Sequence, residues 1–397
     1  MRTVEEHLSA ILGALTPLPP LDLSLLEAQG GVLAEPVVAP VPLPPFDNSA
    51  MDGYAVVASD LVSAPVTLPV IGDVMAGDQG VMAIRPGLCC RIMTGAPMPG
   101  GADAVVPVEW TDHGTVSVWI DRPAPAGNYV RRAGEDVRAG QTVLPEGTFL
   151  GATQLGMAAA VGRSRLLVRP KPRVVVLATG NELREPGTTL SPGQIWDSNS
   201  FMLTAAVIEA GGVGYRQAIV SDDAEHVLET IEDQLGRADV IITTGGVSMG
   251  ARDIVKEVLS DRVTFTPVAM RPGRPQGFGL LSGGIPIFTL PGNPVSAYIS
   301  FQVFVRPALR ALQGLSPAPL DSVTAALTQP VTSPDGIRQY LRGALAYGDE
   351  GYSVTPASAQ GSHQMGSLSS SNVLISVPSA VTQLSAGSRV EVLRLPS

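Results

Sequence analysis

The chain has 397 residues, which is long enough for two or three domains of ordinary size. Its formal net charge is -10 and no run of lysine or arginine stands out, so the composition disfavours a nucleic-acid-binding protein. The 43 glycines and 35 prolines predict many turns and short strands, and a hydrophobic content of 45% is that of a globular protein.

The composition also indicates the compartment. The two cysteines, Cys89 and Cys90, are adjacent and so cannot form a framework disulfide; we interpret them as small buried hydrophobic residues in a reducing environment. The histidines lack the spacing of zinc ligands. Two early glutamates, Glu5 and Glu6, replace the basic start of a signal peptide, and no apolar run reaches about 18 residues. We therefore expect a cytoplasmic protein that does not enter a membrane.

The N-terminal residues predict two helices. Thr3 and Glu6 form a capping-box pattern before an apolar helical face, and Pro17 stops this first helix. Ser24 and Glu27 repeat the pattern, which predicts a second helix over the following apolar residues.

An extended linker, PVVAPVPLPPF (36–46), comes next, because five prolines in eleven residues preclude a helix. From 47 to 133, short apolar runs separated by Gly, Pro and Asp predict a small β-rich domain. Helical spacing returns at 148–161. We therefore expect residues 47–133 to be an insertion into an elongated linker domain made of 1–46 and 134–171.

Strand and helix patterns alternate from 172 to 317, which predicts a doubly wound, mostly parallel sheet with ligands at the carboxyl ends of its strands. We expect this segment to be the catalytic domain. Residues 318–397 contain strand patterns with Gly and Ser turns and predict a C-terminal β-barrel-like domain. The expected fold class is thus α/β multidomain.

The strongest phosphate-binding pattern is TTGGVSMG (243–250), which follows an apolar strand and precedes a helix. Gly245 and Gly246 would let the backbone approach a phosphate at the helix N-terminus, and Ser248 would add a hydroxyl. Taken alone, the motif fits an ordinary strand-to-helix turn equally well.

Three carboxylates follow strand or strand-loop patterns: Glu182 in LATGNEL, Asp222 in SDD and Asp253 after the glycine motif. Together they suit Mg²⁺, which binds one or two carboxylates beside phosphate oxygens and waters. Asp222 considered alone would more often be a helix N-cap.

Two further turns offer anion-binding groups. RPGRP holds Arg271 and Arg274 on a stiff frame, and the guanidinium fork matches the oxygen spacing of tetrahedral oxyanions. LPGNPVSA presents Pro291, Asn293 and Pro294 at a strand-to-helix turn whose backbone donors point outward. Each in isolation is more often an ordinary surface turn.

Two polar segments precede the catalytic domain. DNSAMDGYA crowds polar groups, Asp52 among them, directly after the linker, and RIMTGAPMP sets Thr94 on a Gly-Pro turn. Turn chemistry alone could account for both.

These segments, together with RRAGEDV, occur in the order found in MoeA-type molybdenumtransferases, and the chain resembles that family, and the related E domains of gephyrin-like proteins, over nearly its whole length. The resemblance implies a Mg²⁺-dependent transferase that inserts molybdate into adenylylated molybdopterin, forming molybdenum cofactor and releasing AMP. It also implies a homodimer, whose cleft combines the catalytic and C-terminal domains of one subunit with the inserted domain of the other.

Position by position, the resemblance implies a set of site residues. The implied catalytic residues are Asp52, Thr94, Glu182, Asp222 and Asp253, of which the last three would hold the metal. The implied binding residues for pterin phosphate and molybdate are Gly245, Gly246, Ser248, Arg271, Arg274, Pro291, Asn293, Pro294, Arg338 and Ser362. Partners implied beyond the second copy are the pterin adenylyltransferase and molybdoenzyme acceptors.

The chain departs from the family pattern at four positions. Arg271 and Arg274 replace the usual lysines, which exchanges a point charge for a fork of donors. Pro267 stands where relatives often carry a basic residue, and Asn181 replaces an aspartate, which leaves Glu182 as the better metal ligand.

Two other functions compete with this reading. A molybdopterin adenylyltransferase-like enzyme would share the α/β domain but normally lacks the inserted and C-terminal domains. A non-catalytic scaffold dimer would have no need for converging carboxylates.

Overall fold

A computed structural model describes residues 1–79, 82–246, 253–318 and 320–396. The chain divides into two compact units. The major unit comprises Met1–Leu21, Gly30–Val32 and Arg169–Ser397, and the minor unit comprises Asp22–Gln29 and Leu33–Val168. Within the described residues, no helix is long and apolar enough to span a bilayer.

The first predicted helix is confirmed as α1 (Val4–Ala14). Its capping box is complete: Thr3 Oγ1 accepts from the Glu6 amide at 3.1 Å, and Glu6 Oε2 accepts from the Thr3 amide at 2.8 Å. Ile11 on its inner face is fully buried. The helix ends at Ala14, before Pro17 is reached.

The second predicted helix is wrong. The chain instead forms β1 (Leu21–Ser24), a turn over residues 25–30 and β2 (Val32–Leu33). The Ser24 amide does donate to Glu27 Oε2 at 3.1 Å, so the capping contact exists. Gly30 then adopts a φ of 76°, which ends the turn before the helix can propagate.

The minor unit consists mainly of short strands, as the sequence predicts. They are β3 (Val37–Val38), β4 (Asn48–Ser49), β5 (Gly53–Val56), β6 (Val66–Val74), β7 (Cys89–Ile92), β8 (Ala104–Pro107), β9 (Ser117–Ile120), β10 (Val130–Arg131) and β11 (Thr142–Leu144). Five of them form a sheet in the order β8-β5-β7-β6-β9. Helix α2 (Ala152–Ala160) and strand β12 (Arg165–Arg169) follow in the chain.

The adjacent cysteines lie in this five-stranded sheet. Cys89 and Cys90 are free thiols and both are fully buried. Burial raises the pKa of Cys89 to about 12 and that of Cys90 to about 11, so both remain protonated and unreactive at neutral pH. Their interpretation as small hydrophobic residues is confirmed.

The α/β part of the major unit contains nine strands and five helices among the described residues. The strands are β13 (Arg173–Ala178), β14 (Leu183–Arg184), β15 (Ile195–Trp196), β16 (Val213–Arg216), β17 (Val240–Thr244), β18 (Val263–Pro267), β19 (Met270–Arg271), β20 (Pro275–Leu280) and β21 (Pro286–Leu290). The helices are α3 (Asn199–Glu209), α4 (Ala224–Gln234), α5 (Ile254–Leu259), α6 (Pro294–Ser300) and α7 (Arg306–Leu312), with a π-helical turn at Phe301–Val305.

Six of these strands form the predicted mostly parallel sheet, in the order β16-β13-β17-β21-β20-β18. The first four are parallel, whereas β20 runs antiparallel to both of its neighbours. The chain leaves β13 for β16 on one side and then returns to β17 on the other. This reversal opens a crevice at the carboxyl ends of β13 and β17.

The C-terminal strands close into a barrel. They are β22 (Ser322–Leu327), β23 (Val331–Thr332), β24 (Arg338–Gly348), β25 (Gly351–Pro356), β26 (Val373–Val377), β27 (Gln383–Leu384) and β28 (Arg389–Arg394), and α8 (Met365–Ser369) precedes β26. The order β24-β25-β22-β28-β26 is closed by pairing of β26 with β24. Strand β19 extends this sheet by pairing with the start of β24, so the α/β and barrel parts are joined through backbone hydrogen bonds.

Candidate active site at the strand ends

A cavity of about 330 Å³ lies at the carboxyl ends of the parallel strands. Thr179 and Glu182 follow β13, Thr244 and Gly245 mark the end of β17, and Asn293 follows β21; all five line the cavity. Three strand ends therefore converge on one space, which is where doubly wound sheets bind ligands.

Asn199, the first residue of α3, ties these strand ends together. Its side-chain amide donates to Thr244 Oγ1 at 2.9 Å and to the Gly292 carbonyl at 2.7 Å. Its Oδ1 is buried and has no hydrogen-bond partner within the described part of the chain. The sequence interpretation missed Asn199; the signal that could have found it is the run of three polar residues, Asp197 to Asn199, at the start of the helix.

Asp197 fixes the start of the same helix. Its carboxylate is 2% exposed, accepts from the Ser200 amide at 3.0 Å and bonds the Ser200 hydroxyl. Arg216 Nη1 lies 3.7 Å from Asp197 Oδ2, and Arg216 Nη2 donates to both carboxylate oxygens of Glu185 at 2.8 and 2.9 Å. A buried carboxylate with these partners holds the N-terminus of α3 toward the cavity.

The glycines of the phosphate-binding motif are required by the backbone. Gly245 and Gly246 have φ values of 99° and 64°. A Cβ on Gly245 would lie 2.6 Å from the Thr179 carbonyl, and one on Gly246 would lie 2.9 Å from Val255 Cγ2. Turn geometry and close packing thus account for both glycines, and their phosphate role stays a prediction. The predicted Ser248 lies outside the described residues.

The three predicted metal ligands occupy different environments. Asp222 and Asn181 form a reciprocal pair: the Asn181 amide donates to Asp222 Oδ2 at 3.0 Å, and the Asp222 amide donates to Asn181 Oδ1 at 3.1 Å. The N-cap of α4 is Asp223, not Asp222, and it accepts from the His226 amide at 2.9 Å. The capping interpretation of Asp222 is therefore excluded.

Glu182 is exposed at the cavity rim, and Asp253 stands at the N-cap position of α5. Across the described ranges, no group of three or more His, Cys, Asp or Glu side chains is arranged to hold a metal ion.

A second cavity, of about 530 Å³, has Arg271, Ser296, Ser362 and His363 among its lining residues. His363 also lines the strand-end cavity and is the one residue common to both linings. Arg271 in turn lines a third cavity of about 570 Å³ beside the barrel. Two of the predicted anion-binding residues, Arg271 and Ser362, are thus brought to the same space.

The other two predicted anion-binding arginines lie elsewhere. Arg274 is exposed and is absent from the linings of these cavities. Arg338 forms an ion pair with Glu5 of α1 at 3.0 Å and is also absent from these linings. The charge of Arg338 is therefore already paired with the carboxylate of Glu5.

Sequence reasoning also missed Arg342, which lies on β24 four residues after Arg338. Its guanidinium is fully buried and donates to the Ala359 carbonyl at 2.7 Å, the Gly361 carbonyl at 3.2 Å and Ser367 Oγ at 2.8 Å. Burial lowers the pKa of this arginine. These bonds hold the loop that presents Ser362 and His363 to the second cavity.

Asn293 and Pro294 of the LPGN turn line the strand-end cavity, and their role in binding stays a prediction. Pro291 is buried beneath them, and its carbonyl accepts from Thr244 Oγ1 at 3.2 Å. Pro291 therefore acts on the cavity through Thr244.

In the minor unit, Asp52 and Thr94 are in direct contact although 42 residues separate them. Asp52 Oδ1 accepts from both the amide and the hydroxyl of Thr94, each at 2.7 Å. These two bonds lower the pKa of Asp52, the backbone amide being the larger cause. An exposed carboxylate held ionised in this way can bind a cation or orient a polar hydrogen.

Comparison with known proteins gives the family. Three family profiles match: the MoeA N-terminal region (domain I and II) at residues 2–162, a probable molybdopterin binding domain at 175–311, and the MoeA C-terminal region (domain IV) at 324–395. A protein of Mycobacterium tuberculosis named molybdopterin molybdenumtransferase 2 is 45% identical, covering 99% of both chains. The chain belongs to the MoeA family.

Other members extend the likeness. Molybdopterin molybdenumtransferase 1 of Mycobacterium tuberculosis is 40% identical over 99% of this chain and 98% of its own. The crystal structure of a molybdopterin biosynthesis MoeA protein from Pyrococcus horikoshii OT3 covers 100% of both chains with a TM-score of 0.80 and 29% identity. The resemblance inferred from the motifs is confirmed, and with it the MoeA architecture.

Proposed function

We propose that this MoeA protein is a molybdopterin molybdenumtransferase, which inserts molybdate into adenylylated molybdopterin and releases AMP. The observation that carries the proposal is the pair of cavities in the major unit that share His363. One is bounded by strand ends suited to a phosphate ester, and the other contains an arginine suited to an oxyanion. A reaction between the two ligands requires such adjacency.

The strand-end cavity is the proposed binding site for the phosphate-linked pterin and nucleotide. Ser198 and Asn199 at the N-terminus of α3 line this cavity, and a helix N-terminus favours an anionic group. Thr179 and Asn199 add side-chain atoms that are buried and have no hydrogen-bond partner in the described ranges. A polar ligand would satisfy these groups, whose burial is otherwise unfavourable.

The second cavity is the proposed molybdate site. Arg271 supplies a planar fork of donors, while Ser296 and Ser362 supply hydroxyl groups. Molybdate is a tetrahedral dianion, so a fork of donors neutralises its charge and fixes its orientation. Arg274 and Arg338 are proposed to contribute less, because neither lines this cavity.

Glu182, Asp222 and Asp253 are the carboxylates that would hold magnesium, beside the phosphates of the substrate. Mg²⁺ keeps several waters and often takes only one or two protein carboxylates beside phosphate oxygens, so a ready-made protein cage is not needed. Bound there, it would neutralise charge on the phosphate bridge between pterin and AMP. Loss of activity on chelation, and its recovery on adding Mg²⁺, would test this assignment.

The chemical step is proposed to be attack by an oxygen of molybdate or of water on a phosphorus of the bridge between the pterin phosphate and AMP. A new P–O bond forms, the bridging P–O bond breaks, and its electron pair goes to the departing phosphate. The N-terminus of α3 would stabilise the negative charge that builds up on the phosphate oxygens, and Arg271 would hold molybdate beside them. Asp52 or Asp253 would orient the attacking oxygen.

A homodimer is proposed because the family resemblance implies a cleft completed by the inserted domain of a second copy; the Asp52–Thr94 pair lies in the minor unit and both cavities lie in the major unit. In the proposed arrangement, the inserted domain of a second copy brings this pair to the crevice. Sedimentation should then give twice the chain mass of 41.1 kDa at micromolar concentration. A monomer under these conditions would contradict the shared site.

The compartment and the protein partners follow from the same proposed function. We propose a cytoplasmic protein that receives its pterin from the adenylyltransferase and passes the finished cofactor to molybdoenzyme acceptors. Purified protein should release AMP from adenylylated molybdopterin only when molybdate and Mg²⁺ are both present. A scaffold would release none, and an adenylyltransferase would form adenylylated pterin from ATP instead.

A further inference from the structure

Trp196 lies on the rim of the strand-end cavity, and backbone bonds hold it there. Its strand β15 pairs in parallel with β14: the Ile195 amide donates to the Glu182 carbonyl and the Asp197 amide to the Arg184 carbonyl, each at 2.9 Å. The ladder that positions Glu182 therefore also positions Trp196. A side chain on such a support is held in place before any ligand arrives.

The only polar atom of the indole is already satisfied. Trp196 Nε1 donates to the Thr188 carbonyl at 2.9 Å, which fixes the ring against the loop between β14 and β15. The residue nevertheless remains 51% exposed. What it offers to a ligand is thus an oriented aromatic surface, not a hydrogen bond.

The cavity beside the ring combines two chemistries. Leu183, Ile195 and Met365 line it with apolar surface, while Thr179 and Asn199 line it with polar atoms that lack partners among the described residues. Pockets with a mainly apolar wall and a few convergent polar groups bind ligands that have a flat apolar part and a polar part. A phosphate ester bearing a fused heterocycle is such a ligand.

We propose that Trp196 is a substrate-binding residue that stacks on the fused nitrogen heterocycle of the substrate, while the phosphate attached to that heterocycle occupies the strand-end cavity. The inference rests on the proposed function, since adenylylated molybdopterin carries two such rings, adenine and pterin. Both have a π-face of the kind that stacks on tryptophan. Stacking does not depend on which of the two rings is bound, and it needs no hydrogen bond from the indole, whose N–H is engaged.

The test is binding of small probes, measured by calorimetry on the full chain without any turnover. AMP carries ring and phosphate, ribose 5-phosphate carries the phosphate alone, and 6-hydroxymethylpterin carries the other ring. Trp196→Ala should weaken the binding of AMP or of the pterin by about five-fold to one hundred-fold, the range for loss of one stacked base. Ribose 5-phosphate binding should not change, and Trp196→Phe should restore most of the loss.

Trp119→Ala is the matched control, since Trp119 is also a tryptophan, is 43% exposed and belongs to the minor unit. It should bind all probes as the wild type does. Equal binding of AMP and pterin by wild type and Trp196→Ala would overturn the proposal, and so would an equal loss for ribose 5-phosphate. Failure of wild type to bind either ring-bearing probe would also overturn it.

Turnover separates this inference from the function on which it rests. Ring binding that depends on Trp196, without AMP release from adenylylated molybdopterin, would refute the proposed transferase and keep the stacking site. Normal AMP release, with ring binding that is the same in wild type and Trp196→Ala, would keep the proposed transferase and refute the stacking site.

Discussion

Thr94 donates two hydrogen bonds to the same carboxylate oxygen of Asp52, one from its backbone amide and one from its hydroxyl, each 2.7 Å long. The contact joins two motifs that lie 42 residues apart in the chain. Each motif taken alone was explicable as turn chemistry. Their meeting gives one ionised, oriented carboxylate.

The hydroxyl bond can be tested without touching the carboxylate. Thr94→Val removes the side-chain donor, so the pKa of Asp52 should rise toward its ordinary value, although the backbone bond limits the rise. If turnover needs ionised Asp52, the acidic limb of the pH–rate profile should move to higher pH. An NMR titration of the Asp52 carboxyl carbon measures the first effect directly.

Thr94→Ser is the control for this change, because it keeps the hydroxyl and should keep both the Asp52 titration and the pH–rate profile. An Asp52 titration that is identical in Thr94→Val and wild type would show that the hydroxyl bond contributes nothing.

The two arginines of the RPGRP turn should respond differently to replacement. Arg271 lines the proposed molybdate cavity and Arg274 does not, although both are exposed. Arg271→Lys keeps the charge but loses the fork of donors, so molybdate binding should weaken by about 1.5 to 3 kcal/mol. Arg274→Lys should change it far less. Michaelis constants for molybdate at fixed ionic strength would measure both effects.

Equal losses in the two variants would mean that the turn acts as an undivided patch of charge. No loss in either would remove both arginines from the proposed molybdate site and leave Arg338 as the remaining arginine among the predicted anion-binding residues.

The sheet and the barrel could be predicted because their signals are local. Alternating strand and helix patterns identified the α/β part, and strand patterns separated by Gly and Ser turns identified the barrel. The failed helix after Ser24 had a correct capping signal, and the Ser24–Glu27 contact does form. What the pattern did not weigh was Gly30, whose positive φ redirects the chain.

The site could be predicted only where a residue acts by its position on the backbone. Glu182 and Asn293 follow strands, so their convergence was predictable from the sheet. Asn199 and Arg342 act through side-chain bonds to segments far along the chain, which no local pattern reveals. The same limit explains Arg338, whose partner Glu5 lies more than three hundred residues away.

The Asn199 bonds should matter to both stability and binding. Asn199→Ala removes the donor to Thr244 and Gly292, so the free energy of unfolding should fall by about 1 to 3 kcal/mol and AMP affinity should fall with it. Asn199→Asp has nearly the same shape but cannot donate, so it should show the same loss. Denaturant unfolding would measure the stability of both variants, and calorimetry would measure their AMP affinity.

A loss of AMP affinity in Asn199→Ala without any change in unfolding would point to a direct ligand contact by the side chain. Unchanged stability and unchanged affinity together would contradict the proposed role of the Asn199 hydrogen bonds.

The last prediction concerns His7, a buried histidine that the proposed mechanism does not use. It lies on the inner face of α1, is 2% exposed, and its ring meets Phe304 edge-on with centroids 4.8 Å apart. Its Nδ1 is buried without a hydrogen-bond partner in the described structure. Burial, with a smaller contribution from the charge of Arg2, lowers the pKa of His7 from 6.5 to about 4.

Because the folded-state pKa is below the unfolded value, the unfolded chain binds more protons between pH 4 and 6.5. Stability from the neutral imidazole is therefore complete above pH 6.5 and is lost as the pH falls toward 4. At pH 5 the loss should be about 2 kcal/mol relative to pH 7. His7→Leu and His7→Gln cannot titrate, so both should lose less stability than the wild type between these two pH values. Denaturant unfolding at pH 7 and pH 5 measures the difference, and a wild-type pH dependence that persists in both variants would assign the acid sensitivity to other groups.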